Sequence, residues 1–448
     1  MGFFIVSLMY SHKKIWSVSY PIILSLLAQN IINITDTAFL GRVGEVELGA
    51  SALGGVFYLA LYMLGFGFST GAQILMGRRN GENRLGEIGP IFIQGVIFLM
   101  FFAGIVLWTT LQFAPPVLSM MIRSANVCDA TIRFLDWRMY GIFFAFLNVM
   151  FRAFFVGITK TRALTISAVV MAMVNIFLDY AMVFGKFGFP AMGIEGAAIA
   201  SVIAEFASVL FFVFYTFRYV PFRKFGLLDK AAYGMRQLPH LLNISVWTMI
   251  QYFVAVGTWF IFFLATEHLG ERSLAVSNIV RSVSTLLFMP VSAYGTTTNT
   301  LVSNMMGEGH VSEVPRLVRR IMTQCLWMVL PLMLIIYLVP HLIIRIYTED
   351  PTLVQASVAS LMVLTTSYFF AAPGSVYFQF VSGTGNTRSA LAIECATLFF
   401  YMLFVSLVAF KWMMPVEIAW GSEVIYWGCL LFISLFYMKK ANWQSKKI

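Results

Sequence analysis

Two acidic residues stand among amides and hydroxyls in otherwise apolar stretches of this sequence. Asp36 follows Gln29 and Asn33 at the i, i+4, i+7 spacing of one helix face. Asn175 and Asp179 are four residues apart in a second stretch and also share a helix face. Carboxylate and amide oxygens are hard ligands for a small cation, and a buried carboxylate can instead hold an exchangeable proton. We therefore expect Asp36, Asn175 and Asp179 to bind Na⁺ or H⁺.

The alternative is that these polar groups only hydrogen-bond neighbouring helices. A charge at the middle of a bilayer costs at least about 2.5 kcal/mol, so each buried acid needs a cavity, a partner or a proton. Because both acids lie in the same half of the chain and in amide-rich stretches, the ion site is favoured. Gln29, Asn33 and Thr37 are then polar candidates for a cavity beside it.

Other charged residues within apolar stretches have no assigned role from the sequence. For the acids, structural partners are favoured over proton relays, and the arginines are expected to pair with acids or to extend towards the membrane surface. These residues are Arg152, Glu205, Arg281, Glu394 and Glu423.

The composition shows which elements must position these side chains. The chain has 448 residues, 60% hydrophobic and 11% charged, with a mean hydropathy of +0.83. A soluble protein carries about 25% charged residues, so this chain could not cover a water-soluble globule. Each crossing of the bilayer needs about 20 apolar residues, and about 35 to 40 together with its loop, so the chain holds roughly twelve membrane helices. The composition thus argues against a soluble enzyme, a disordered chain, a disulfide scaffold and a nucleic-acid binder.

The distribution of Lys and Arg predicts the orientation of these helices. With both termini in the cytoplasm, about 20 of these residues fall on the inner side and about 8 on the outer side, Arg133 and Arg138 among the latter. This bias explains the net charge of +10 without a nucleic-acid partner. We expect an interfacial segment at 1–14, an N-lobe at 15–217, a cytoplasmic linker at 218–238, a C-lobe at 239–438 and a basic tail at 439–448.

An internal repeat supports two lobes of six helices. The segment Gly157 to Ala163 reappears as Gly383 to Ser389, and Gly81-Glu82 reappears as Gly307-Glu308, both 226 residues later. Since six helices is an even number, both halves start on the same side of the membrane, and the repeat is parallel. The fold class expected is therefore an all-α polytopic membrane protein with two parallel-repeat lobes and a cavity between them.

Three further sequence features could carry chemistry or bend a helix. Gly67-Phe-Ser-Thr-Gly71 matches a nucleophile pattern, but that pattern needs a strand, a turn and a helix, so a helix-packing contact is favoured. The four cysteines show no CxxC pair and indicate neither a zinc site nor a disulfide framework. Pro21 lacks a backbone donor and invites a bend in the helix that carries Asp36.

Taken together, these motifs resemble the MATE (multidrug and toxic compound extrusion) transporters, and most closely the branch named after the DNA-damage-inducible protein F. The resemblance covers nearly the whole chain. The segments that carry it, in order, are Pro21 with Asp36 to Gly41, Gly67 to Gly71, Gly157 to Arg162, Asn175 to Tyr180 and Gly193 to Ser201.

The resemblance implies a V-shaped pair of lobes that exports drugs in exchange for H⁺ or Na⁺ by alternating access. Its cation site would carry over to Asp36, Asn175, Asp179 and Ser201, where Thr is more usual at the last position. Another branch has acids in the seventh and tenth helices, but 247–251 and 371–379 contain none here. We therefore expect coupling in the N-lobe, no cofactor, a small-molecule drug as substrate, and a monomer in the inner-membrane bilayer.

Two other transporter classes remain as alternatives. A major facilitator transporter also has twelve spans and a parallel repeat, but its characteristic acidic loop motif is not matched at Gly77 to Arg84. A lipid or polysaccharide flippase of the same superfamily usually has a cationic cavity, whereas the apolar stretches of this N-lobe contain the acids Asp36 and Asp179. An embedded enzyme is disfavoured because no catalytic set of residues was found.

Overall fold

The computed structural model describes residues 10–122, 124–227, 229 and 233–446. Within them, twelve helices are long and apolar enough to cross a membrane, which confirms the predicted all-α polytopic fold. They are α1 (His12–Val43), α2 (Glu45–Gly81), α3 (Leu85–Met121), α4 (Ala125–Gly157), α5 (Arg162–Val183), α6 (Gly193–Tyr219), α7 (Leu238–His268), α8 (Glu271–Gly307), α9 (Val311–Leu338), α10 (Pro351–Gly383), α11 (Thr387–Lys411) and α12 (Val416–Lys440).

Most of the segments that separate these helices are short. A 3₁₀ turn at Met139–Gly141 interrupts α4, and a π-helical turn at Ser406–Lys411 ends α11. Short helices at Phe222–Phe225 and Pro340–Arg345 lie in the connections. Of the predicted terminal and linker segments, residues 1–9, 228, 230–232 and 447–448 lie outside the described residues.

The chain divides into two compact units, and the division does not fall at the linker. The first unit is Pro21–Phe253, and the second combines the residues before Pro21 with those from Val254 onward. The boundaries therefore lie inside α1 and inside α7. Most of α1 and the first half of α7 belong to the first unit.

In the first unit, α2 and α7 approach each other through the glycines of the Gly67 to Gly71 motif. A Cβ on Gly67 would lie 2.6 Å from Met249 Cα, so only glycine fits this crossing. Thr248 Oγ1 also donates a hydrogen bond of 2.7 Å to the carbonyl of Gly67. The motif lies within a continuous helix, and the predicted packing contact is confirmed.

The repeated segment makes an equivalent contact in each unit. A Cβ on Gly157, at the end of α4, would lie 3.3 Å from the carbonyl oxygen of Gln73 in α2. A Cβ on Gly383, at the end of α10, would lie 2.6 Å from the carbonyl oxygen of Asn299 in α8. Gln73 and Asn299 are themselves 226 residues apart. The sequence repeat is thus also a repeat of helix packing.

Candidate functional site

Three helices of the first unit position the predicted ion-binding residues. Asp36 lies on α1, Asn175 and Asp179 on α5, and Ser201 on α6. The helices α5 and α6 come close at Gly196, where a Cβ would lie 2.9 Å from the Met182 carbonyl. The helices α5 and α1 are joined by a hydrogen bond of 2.9 Å that Thr165 donates to the carbonyl of Pro21.

The carboxyl groups of Asp36 on α1 and Asp179 on α5 interact electrostatically with each other. Asp179 is fully buried, and Asp36 is partly buried. Asp36 Oδ1 and both carboxyl oxygens of Asp179 accept no well-formed hydrogen bond from a described donor. Two adjacent carboxylates repel each other strongly in an apolar interior. A shared proton or a bound cation would remove this repulsion.

Asn175 and Ser201 add neutral oxygen atoms to this pair. Asn175 is 1% exposed, and its amide nitrogen donates to Ser201 Oγ at 3.4 Å. The amide oxygen of Asn175 is buried without a hydrogen-bond partner among the described residues. Carboxylate, amide and hydroxyl oxygens form a ligand set suited to Na⁺, and the two carboxyls alone can hold a proton.

The remaining polar candidates on α1 have no described contact with Asp36, Asn175, Asp179 or Ser201. The protein leaves three of them exposed, whereas Asp179 is buried; the three are Gln29, Asn33 and Thr37. The hydroxyl of Thr37 donates to the Asn33 carbonyl of its own helix at 2.8 Å. Their predicted location beside a cavity remains a prediction.

Sequence reasoning missed a buried ion pair in the same unit. Arg138, which the charge count assigned to the outer side, lies inside α4 with its side chain only 13% exposed. Arg138 is paired with Glu205 of α6, to which it donates hydrogen bonds of 2.6 and 3.1 Å. The sequence did contain the signal that Glu205 needs a partner, since an unpaired acid is costly in a membrane span.

Glu394 and Glu423, two buried acids of the second unit, have neutral partners. Tyr426 donates to Glu394 at 2.7 Å, and the indole of Trp427 donates to Glu423 at 3.2 Å. The two arginines of undetermined role lie over aromatic rings, Arg152 over Phe66 and Arg281 over Phe263. Among the described residues, no group of three or more His, Cys, Asp and Glu side chains forms a metal cluster.

Comparison with known proteins gives consistent matches. The family model MatE matches residues 21–181 and 248–407. A protein of Thermotoga maritima, named a probable multidrug resistance protein NorM, is 25% identical over 97% of this chain and 94% of its own length. A second of the same name, from Agrobacterium fabrum, is 23% identical over 95% of this chain and 92% of its own length.

Solved structures share the fold. One is described as the outward-facing conformation of a multidrug resistance MATE family transporter; it is 16% identical, with a TM-score of 0.90 over 99% of each chain. A MOP superfamily transporter from Pyrococcus furiosus, described as having a binding pocket of reverse polarity, has a TM-score of 0.87 at 16% identity over 99% of each chain.

Proposed function

The chain belongs to the MatE family of transporters, and from this premise we propose that it is a secondary active multidrug efflux antiporter. It exports organic compounds, often cationic or amphipathic, in exchange for H⁺ or Na⁺. The multidrug assignment rests on relatives named as multidrug resistance proteins, at 25% identity or less over most of the chain. Membership of MatE leaves the major facilitator alternative without support.

The observation that carries the ion coupling is the pairing of Asp36 with Asp179. The two acids come from different helices and interact electrostatically, and three of their four carboxyl oxygens are buried without a hydrogen-bond partner among the described residues. The free energy of such a pair is much lower with one proton or cation bound than with both carboxylates ionised and no cation bound. Binding of H⁺ or Na⁺ from outside therefore changes the balance of charge between α1 and α5.

The position of Pro21 in α1 gives this change a mechanical consequence. Pro21 lies fifteen residues before Asp36 in the same helix, and its missing backbone donor weakens α1 at that point. When the acid pair is neutralised, the part of α1 that carries Asp36 can pack differently against α5. This movement reshapes the drug site and releases the drug outside, in an alternating-access cycle.

The energy available fits drug export. A membrane potential of about 100 mV contributes about 2.3 kcal/mol for each positive charge that enters, and each pH unit contributes about 1.36 kcal/mol. One or two cations per cycle then sustain a drug gradient of about one to three decades. Two six-helix lobes, cytoplasmic termini, location in the inner membrane, and function as a monomer belong to the same proposal.

The test is drug uptake into inverted membrane vesicles, with a Na⁺ gradient and a pH gradient imposed separately. The vesicle lumen corresponds to the outside of the cell, so an acid or Na⁺-loaded lumen should drive accumulation of organic cations such as ethidium. The Asp36→Asn variant should lose this uptake. Asp129→Asn is the matched control, because Asp129 is 71% exposed and pairs with Arg133 at the surface. If neither gradient drives uptake of any tested cation, the antiporter proposal is wrong.

A further inference from the structure

An open cavity of about 540 Å³ lies in the second unit, in the connection between α9 and α10. Its lining carries charges of both signs, from Arg345 and Glu349, and the hydrogen-bonding side chains of His341, Thr348 and Gln355. Its volume falls within the range of about 300 to 1,000 Å³ that is usual for ligand sites in proteins. The connection therefore provides room and polar groups for a small charged ligand.

The two charges in this lining are not used by the protein itself. Among the described residues, neither Arg345 nor Glu349 forms an ion pair or a side-chain hydrogen bond. The neighbouring charges differ, because Asp350 accepts hydrogen bonds from the backbone and the hydroxyl of Thr352 at the start of α10. Arg272 of α8 donates to the Thr352 carbonyl at 2.9 Å. Asp350 and Arg272 thus hold the start of α10, whereas Arg345 and Glu349 are available to a ligand.

Apolar side chains beside the cavity indicate that it lies at the membrane surface. The short helix Pro340–Arg345 directly follows α9, and its residues Pro340 and Ile344 are buried. Five large apolar side chains in and around this short helix are between 39 and 77% exposed: Leu338, Val339, Leu342, Ile346 and Tyr347. A short amphipathic segment that lies in the interface of a bilayer covers such side chains with lipid. The cavity therefore opens where lipid headgroups are found.

The charges in the lining favour a zwitterionic headgroup. A phosphate can accept hydrogen bonds from the Arg345 guanidinium, and such charge-assisted pairs are among the stronger contacts in proteins. A headgroup with only negative charge would leave Glu349 without a cation, whereas an ammonium group can donate to this carboxylate. A free zwitterion of the same kind would leave the apolar side chains of the short helix in water. A phospholipid with an ammonium group matches both the charges and the apolar surroundings.

We propose that this cavity binds the headgroup of an aminophospholipid from the surrounding membrane, with its phosphate at Arg345 and His341 and its ammonium at Glu349. The acyl chains of this lipid cover Leu342 and Ile346. In the orientation proposed above, the connection between α9 and α10 lies on the outside, so the lipid belongs to the outer leaflet. All of the residues involved belong to the second unit.

The test is lipid binding to the purified full-length protein in detergent, measured by native mass spectrometry at increasing lipid concentrations. The probes are phosphatidylethanolamine, phosphatidylglycerol and soluble phosphoethanolamine. The wild type should bind one phosphatidylethanolamine more tightly than it binds phosphatidylglycerol. Arg345→Gln should weaken the binding of phosphatidylethanolamine about tenfold, as expected for the loss of a hydrogen bond between charged groups. Glu349→Gln should weaken it by a similar factor and leave the binding of phosphatidylglycerol undiminished.

Lys411→Gln is the matched control, because Lys411 is an exposed cation at the end of α11 that does not line the cavity. This variant should bind both lipids as the wild type does. All three substitutions replace exposed side chains, so the midpoint of thermal unfolding should stay at the wild-type value.

Three outcomes contradict the inference. Glu349→Gln binds phosphatidylethanolamine as tightly as the wild type, Lys411→Gln weakens the binding as much as Arg345→Gln, or soluble phosphoethanolamine displaces the lipid at equal concentration. The last outcome would assign the cavity to a free metabolite instead of a lipid. The measurement needs neither a drug nor an ion gradient, so its result is independent of the antiporter proposal.

Discussion

Gly71 of α2 lies directly against Ser245 of α7. A Cβ on Gly71 would be 2.6 Å from Ser245 Cα, and Ser245 is fully buried. Together with the neighbouring contact of Gly67 and Met249, this crossing brings the two backbones closer than side chains would permit. Small residues allow such close packing in membranes, where helix association depends on van der Waals contact.

Gly71→Ala should therefore destabilise the first unit. The added methyl group would lie 2.6 Å from the Cα atom of Ser245. Overpacking of this kind costs about 1 to 3 kcal/mol. Gly55→Ala in the same helix is the control, because a Cβ there meets nothing within 4 Å. Thermal unfolding in detergent should show a lower midpoint for Gly71→Ala and no loss for Gly55→Ala. Equal midpoints for the two variants would contradict the close crossing.

Ser201 offers a test of the neutral ligands of the ion site. Ser201→Thr keeps the hydroxyl that receives the hydrogen bond from Asn175, whereas Ser201→Ala removes it. A typical hydrogen bond contributes about 0.5 to 1.5 kcal/mol, so Ser201→Ala should weaken cation affinity roughly two- to tenfold. Half-maximal H⁺ or Na⁺ concentrations for transport measure this affinity. Ser201→Thr should match the wild type; an alanine variant that also matches it would remove Ser201 from the site.

In the second unit, Tyr10 lies just before α1 and is hydrogen-bonded to Glu308. Tyr10 is 5% exposed and donates a hydrogen bond of 2.7 Å to Glu308, while Gln324 of α9 donates to the carbonyl of His12 at 3.0 Å. Burial raises the pKa of the Tyr10 hydroxyl, and the charge of Glu308 acts in the same direction. Because the pKa of Tyr10 is raised in the folded state, the contribution of its hydroxyl to folding stability is complete below the unfolded pKa of about 10. This stability is lost only as the pH rises above that value.

Tyr10→Phe should loosen this end of α1 equally at pH 6 and pH 9. A hydrogen bond to a charged group contributes about 1.5 to 3 kcal/mol, so local opening should become more frequent. Trypsin cleavage after Lys13 or Lys14 reports this opening. Tyr20→Phe is the control, because Tyr20 is 45% exposed on the same helix. If the Tyr10 variant is cleaved no faster than the control, the Glu308 contact does not anchor the helix.

The helices themselves were predictable from the sequence, because each membrane span is a local run of apolar residues. The shared face of Asn175 and Asp179 was equally local. The pairing of Arg138 with Glu205 was not, since its partners are 67 residues apart and neither lies in a recognisable motif. Counting charges on alternate sides of a membrane also assumes that every cation near a helix end reaches solvent, and Arg138 does not.

The boundaries of the two compact units could not be predicted from the sequence, because they also depend on contacts between residues far apart in the chain. The linker at 218–238 stands out in composition, but composition reports solvent exposure and not which helices touch. The contacts place the boundaries at Pro21 and Val254, within two continuous helices. At Pro21 the sequence does contain a signal, since proline weakens a helix, but the same residue is common in membrane helices with no such role.

The central claim is that Asp36 and Asp179 carry the coupling cation. The most direct test is to measure drug efflux and the opposing H⁺ or Na⁺ flux together in proteoliposomes containing the wild type, Asp36→Asn or Asp129→Asn. We expect a fixed ratio of cation to drug for the wild type and Asp129→Asn, and loss of both fluxes for Asp36→Asn in correctly folded protein. Coupled drug and cation fluxes of wild-type ratio in Asp36→Asn would contradict it.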